Sequence, residues 1–245
     1  MIKKLLLLII CLNLFTNQLQ AKPIIADVSS NEILIDTSFT GQKLFLFGAR
    51  NVAGDIVIVV RGPKNNYIVR KKEEFFGVWL NRKQMKFSDI YGFYAIYSSA
   101  DPDKLSNPEL LRNLNLGFNN LPLSYKGEAH LEDIELFKGA ILEKHLSDAL
   151  YLENYQEIEL MGDTLFKTHL NFTKKIPHGS YNIELYLIRD NNLIATETIP
   201  IQVRTTGFES FVHHAAHQHK ILYGIFCVLA ALMAGWVASR IFWKV

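Results

Sequence analysis

The sequence predicts a mainly β protein: an immunoglobulin-like antiparallel β-sandwich with a helical insertion, followed by one C-terminal transmembrane helix. Three observations point there. Short alternating or β-branched runs, separated by turn residues, recur from Ile24 to Ser99 and again from Glu157 to Val203. Between them lies a segment with helical periodicity. Near the carboxyl end, the nineteen residues Ile221–Ser239 carry no charge. As a helix they extend roughly 28 Å, close to the hydrocarbon thickness of a bilayer.

The chain has 245 residues, 49% hydrophobic and 20% charged, which suits a globular region plus one or two membrane-directed segments. A net charge of +2 is too small to point to nucleic acid. The two cysteines, Cys11 and Cys227, fall in the amino-terminal leader and the apolar helix. The region between them can therefore form no disulfide and offers no thiol nucleophile.

Residues Met1 to Lys4 are basic, Leu5 to Leu14 are apolar except Asn13, and a short polar stretch leads to Ala21. This is the layout of a secretory signal peptide, residues 1–21, leaving a mature chain from Lys22. Leu19 is larger than the small residue preferred three positions before the cut, so an uncleaved anchor is the alternative. Ile10, before Cys11, argues against a lipoprotein site.

In the first β half, Glu32–Asp36 and Lys43–Gly48 read as strands. Asp55–Arg61 is a continuous β-branched run, as in a central strand buried on both faces. Turn residues Gly62–Asn66 end it, and Tyr67–Glu73 returns. Phe75–Leu80 reads as a strand with Phe75, Gly77 and Trp79 on one face, and Tyr91, Phe93, Ala95 and Tyr97 alternate in the last strand of this half.

A helical insertion spans about residues 106–152. Asn107, Pro108 and Glu109 form a helix-start signal, with Gly117 as its stop. A longer acidic helix from about Glu128 to Leu150 repeats Leu131, Ile134, Phe137 and Ile141 at spacings of three and four. His145 on it reads as a packing or surface residue rather than a ligand.

Strands resume at Glu157–Met161 and Leu165–Phe172. Pro177, Gly179 and Tyr181 form a turn leading into an alternating strand with Tyr181, Ile183, Leu185 and Leu187 on one face. A tyrosine at this place in a sandwich packs under the preceding turn. Asp190–Asn192 reads as a hairpin turn and Leu193–Val203 as the final strand. Neither half is complete alone, which favours one interrupted sandwich, residues 22–205, over two domains. A juxtamembrane segment (206–220), the membrane helix (221–243) and a two-residue cytoplasmic tail (244–245) follow.

Several segments together carry a family resemblance: Leu44–Ala49, Asp55–Pro63, Arg70–Glu73 with Gly77–Asn81, Phe93–Ser98, Pro177–Tyr181, and Leu222–Ile225 with Gly235 and Trp236. With these the chain resembles an alpha-proteobacterial transmembrane protein family of unassigned activity. The resemblance implies an exported domain with a C-terminal membrane helix. It carries over no cofactor and no catalytic residue.

Three groups of residues are candidate sites. His213, His214, His217 and His219 lie just before the membrane helix, at spacings that can bind Zn or Cu, although no thiolate or carboxylate completes a site beyond Glu209. This is the only cofactor expectation. Arg61, Lys64, Arg70, Lys71, Lys72, Arg82, Lys83 and Lys86 form a basic run with interleaved aromatics. It reads as a face for an anion, lipid headgroups or an acidic partner, or as a solvated sheet face balanced by the acidic helix. On the membrane helix, Cys227, Ala231, Gly235 and Ser239 recur every four residues, and Ala230, Ala234 and Ala238 form an adjacent row. Small residues let another helix approach closely.

No hydrolase, kinase, metalloprotease or C-x-x-C signature occurs, so no enzyme is expected. The expectation is a single-pass protein of the bacterial inner (plasma) membrane with its domain in the periplasm. It would act as an interaction or accessory subunit of a transporter or envelope complex; a periplasmic metal- or anion-binding module is the alternative. The expected partners are the lipid bilayer and, through the helix, a membrane protein or a second copy. Nucleic acid is not expected.

Overall fold

A computed structural model describes residues 22–100, 107–126, 131–152, 156–207, 216 and 220–242. In chain order the strands are β1 (Ile24–Val28), β2 (Glu32–Ile35), β3 (Gly41–Arg50), β4 (Asp55–Arg61), β5 (Lys64–Phe75), β6 (Val78–Tyr91) and β7 (Tyr94–Ser98). Helix α1 (Pro108–Asn113), β8 (Ser124–Lys126) and helix α2 (Leu131–Ser147) follow. Then come β9 (Gln156–Glu157), β10 (Glu159–Met161), β11 (Leu165–Thr173), β12 (Gly179–Arg189), β13 (Asn192–Thr205) and helix α3 (Lys220–Phe242).

Strands from the two β halves interleave in one sandwich. The first sheet has the order β1-β3-β11-β10 and the second β2-β13-β12-β4-β7-β9. Within the second sheet, β2 pairs β13 and β7 pairs β9 in parallel, while the other pairs are antiparallel. The core lies between the sheets. Leu44, Leu46, Phe166 and Leu170 from the first meet Ile56, Ile58, Tyr181, Ile183 and Leu185 from the second, all almost fully buried. Alternation places these side chains inward because successive residues point to opposite faces.

The apolar run of β4 is covered on both sides, as its continuity predicts. Ile56, Ile58 and Val60 face the sandwich core. Val57 and Val59 face a second cluster, where Leu116, Leu121 and Tyr151 of the insertion cover the sheet. In α1, the Asn107 side chain accepts from the amides of Glu109 and Leu110 at 3.1 and 3.3 Å. Pro108 takes the first turn, where its missing N–H costs nothing. The helix ends at Asn113 rather than Gly117, since Asn115 already turns left-handed at φ +50°.

Three other local expectations are corrected. Phe75–Leu80 is not one strand. Phe76 (φ +51°) and Gly77 (φ +75°) form a two-residue turn, with Phe75 opposite Val78; positive φ at both positions is the turn that matches strand twist. The alternation from Tyr91 to Tyr97 is broken where the chain leaves a third sheet, of order β5-β6-β8, for the second. There Gly62 N donates to Phe93 O at 2.9 Å and Gly92 N to Pro63 O at 2.8 Å. Finally, residues 156–161 divide between the two main sheets: β9 pairs β7 and β10 pairs β11. Between them Ile158 enters the core and its amide donates to Ser98 O at 3.0 Å.

The third sheet is a long hairpin. Its base, Tyr67, Val69, Met85 and Phe87, packs under Ile134, Phe137 and Ile141 of α2, the apolar face that periodicity assigns to that helix.

Candidate functional site

Helix α3 carries the strongest functional signal. Its 18-residue window Tyr223–Arg240 is long and apolar enough to cross a membrane, and none of it is buried against the domain. A soluble core helix of this composition would be covered by its own protein; this one exposes Phe226, Leu232, Met233 and Trp236 by more than 60% each. Arg240 closes the apolar stretch with its guanidinium 5.3 Å from the Trp236 ring centroid. Cys227, Ala231, Gly235, Ser239, Ala230, Ala234 and Ala238 are all exposed on the helix surface. A methyl group added at Gly224 or Gly235 would meet nothing within 4 Å. His213, His214, His217 and His219 lie outside the described residues. Among the described residues, no group of three His, Cys, Asp or Glu side chains could hold a metal ion.

The eight basic residues do not share one face. Arg61 ends the buried strand β4 and is itself only 7% exposed. It reaches Glu184 through Nη1 and donates to Tyr186 Oη at 3.2 Å. Through Nη2 it donates to the backbone oxygens of Leu114 at 2.6 Å and Asn115 at 3.3 Å. Its guanidinium carbon lies 5.9 and 6.0 Å from the ring centroids of Tyr91 and Tyr94. Burial alone would lower the guanidinium pKa, but Tyr186 and Glu184 outweigh it and hold the group above its ordinary value. Burial also pushes the Tyr186 phenol up to about 12. Arg61 is therefore a charged clasp between the sandwich and the helical insertion. The alternation of β12, which places Glu184 and Tyr186 on the face opposite Ile183 and Leu185, was the sequence signal for its partners.

The other cations follow the hairpin. Lys64 lies 5.3 Å from the Tyr91 ring centroid. Lys71 pairs Glu73 at 3.5 Å, and Lys83 pairs Asp133 of α2 at 2.9 Å, joining the basic strands to the acidic helix. Arg70, Lys72 and Lys86 are exposed and have no ion pair among the described residues. The Arg82 side chain lies outside the described set.

His145 is buried inside the insertion. Its Nδ1 is 2.8 Å from Ile141 O, a pure acceptor, so Nδ1 carries the proton; Nε2, 3.3 Å away, accepts from Tyr67 Oη. Burial lowers its pKa below the usual histidine value. It is a packing residue.

An open apolar cleft of about 380 Å³ marks the outer face of the first sheet, lined by Ile25, Phe47, Met161 and Leu165. The backbone of Gly48 contributes to its floor, and a methyl added there would clash with the buried Phe166 ring and come within 2.5 Å of Ile25 O.

A β-sandwich joined to one exposed apolar helix defines a membrane protein with a single candidate span among the described residues. The chain belongs to the family described as "Putative transmembrane protein" (Alph_Pro_TM), whose sequence model matches residues 23–244. No curated protein and no solved structure matches the chain.

Proposed function

We propose that this protein is a single-pass accessory subunit that holds its sandwich at the outer face of the cytoplasmic membrane. There it would act in a transporter or envelope complex. The observation that supports this is the surface of α3: the domain covers none of it, and one side is lined by small residues. In lipid, where apolar burial drives no association between helices, such a side favours close van der Waals contact with a second helix. The role is non-enzymatic, with the sandwich presented to a partner and the helix docked on it.

The test replaces Ala231 and Gly235 together by Leu. Export and membrane insertion are expected to persist, while a stoichiometric partner recovered from mild detergent, or a second copy, is lost. An unchanged crosslinking pattern and unchanged solubilised size would show that α3 only anchors.

A further inference from the structure

Beyond the part covered by α2, the β5–β6 hairpin continues without cover from other described residues. From Arg70 to Leu80 every residue except Glu73 is exposed. Its apex breaks a local rule. The first position of a two-residue turn with positive φ favours Asn, Asp or Gly, yet it holds Phe76, whose Cβ is crowded in that conformation. Phe76 is 91% exposed, and its ring contact among the described residues is with Phe75, with centroids 4.5 Å apart. It strains the turn and adds nothing to any core cluster. A local conflict without a compensating contact in the fold points to function.

The pairing register puts large apolar side chains on both faces of the tip. Phe75, Val78 and Leu80 share one face, Trp79 takes the other, and Phe76 caps the end. A groove on another protein would contact one face, whereas lipid surrounds both. Behind the tip, on the Trp79 face, Lys72 and Arg70, which have no ion pair among the described residues, lie four and six residues from Phe76, roughly 14 and 20 Å at strand rise. An apex sunk about 5–10 Å into the interface brings these cations to the headgroup surface, within reach of lipid phosphates. Glu73 is taken by Lys71. Glu74, opposite Trp79, together with the open strand edges, limits entry to the interface, because unpaired backbone groups do not enter hydrocarbon. The bilayer is within reach: the fourteen residues 206–219 between the sandwich and α3 can span at most about 50 Å.

We propose that the β5–β6 hairpin is a second membrane contact, inserting Phe75, Phe76, Val78 and Trp79 into the interface of an anionic phospholipid bilayer with Arg70 and Lys72 against its phosphates. It rests on α3 lying in the same bilayer. The full chain with Trp236→Phe and Trp243→Phe keeps Trp79 as its one tryptophan. It is reconstituted into vesicles of brominated phosphatidylcholine with and without phosphatidylglycerol. With phosphatidylglycerol, Trp79 emission shifts to the blue and is quenched; high salt weakens both. Arg70→Glu with Lys72→Glu lowers the ratio of docked to undocked hairpin at least roughly tenfold, from two cations near an anionic surface. Phe76→Asn suits the turn better, so the thermal midpoint holds or rises while quenching falls. Trp79 remaining solvent-like and unquenched with phosphatidylglycerol, or equally quenched after the charge reversal, overturns the proposal. A Trp79→Phe chain reports quenching of the remaining tryptophans of the anchor, so failure of the anchor and failure of the hairpin are read separately.

Discussion

The Arg61 guanidinium and the Leu114 backbone oxygen meet at 2.6 Å, joining the end of a core strand to the end of helix α1. The last carbonyls of a helix lack partners and attract a cation, and Arg61 supplies one from inside the sandwich. The same side chain holds Glu184. Removing it takes this donor from the helix end and leaves the Glu184 carboxylate with the Tyr186 hydroxyl but without its cation.

Arg61→Met is therefore predicted to destabilise the domain by about 3 kcal/mol, as for breaking a buried pair from one side. Glu184→Leu added to it should recover part of the loss, since no carboxylate lacking its countercharge then remains. Urea unfolding of the three variants measures this. An Arg61→Met midpoint equal to that of the parent would contradict the clasp.

Tyr181 carries the turn before β12. Its hydroxyl donates to Pro177 O at 2.7 Å, and its ring is fully buried beside Phe93 and Phe172. Tyr181→Phe keeps the ring and removes one hydrogen bond, for an expected cost of about 1 kcal/mol. Tyr181→Ala also opens a cavity, for about 4 kcal/mol. Similar midpoints for both variants would show that the ring carries no packing.

His145 predicts a pH dependence. The unfolded chain takes up this proton near the ordinary histidine value of about 6.5, whereas burial holds the folded value lower. The stability from neutral His145 is thus fully present above about 6.5 and declines as pH falls towards the folded value. Asp148, held at about 2 by Lys144 and Lys175, adds stability above its ordinary carboxylate range and loses it only below, so the two windows separate. The thermal midpoint should fall between about pH 7 and 5, and His145→Gln should flatten that slope. An unchanged slope in the variant would assign the dependence elsewhere.

The proposed topology makes a prediction of its own. A phosphatase fused near Thr205 should be active, and one fused after Val245 inactive, because only the first would lie outside. The basic residues Arg240 and Lys244 follow the positive-inside tendency weakly, since Lys220 flanks the other end. The opposite activity pattern would invert the protein.

Several features were legible in the sequence because their causes are local. The buried strand β4 follows from seven consecutive residues, the α1 start from Asn107 and Pro108, and the β12–β13 hairpin from Asp190 and Asn191, which turn left-handed at φ +49° and +61°. The Tyr181 hydrogen bond spans four residues. Helix α3 declares itself by length and the absence of charge.

Of the candidate sites, the sequence showed the basic run but not its division. It counted Arg61 with the exposed cations because proximity along the chain says nothing about burial. The turn at Phe76 was hidden by its aromatic neighbours, which read as strand.

By itself, then, the sequence determined the class of the protein, a sandwich on a membrane helix, because period, turn chemistry and hydropathy act within a few residues to a single span. Only the tertiary structure decided that Arg61 meets Glu184 across 123 positions, that residues 156–161 are shared between sheets, and that the β5–β6 hairpin leaves the sandwich. Those outcomes depend on which distant surfaces bury one another, and pairing between distant segments leaves no period in the chain to read.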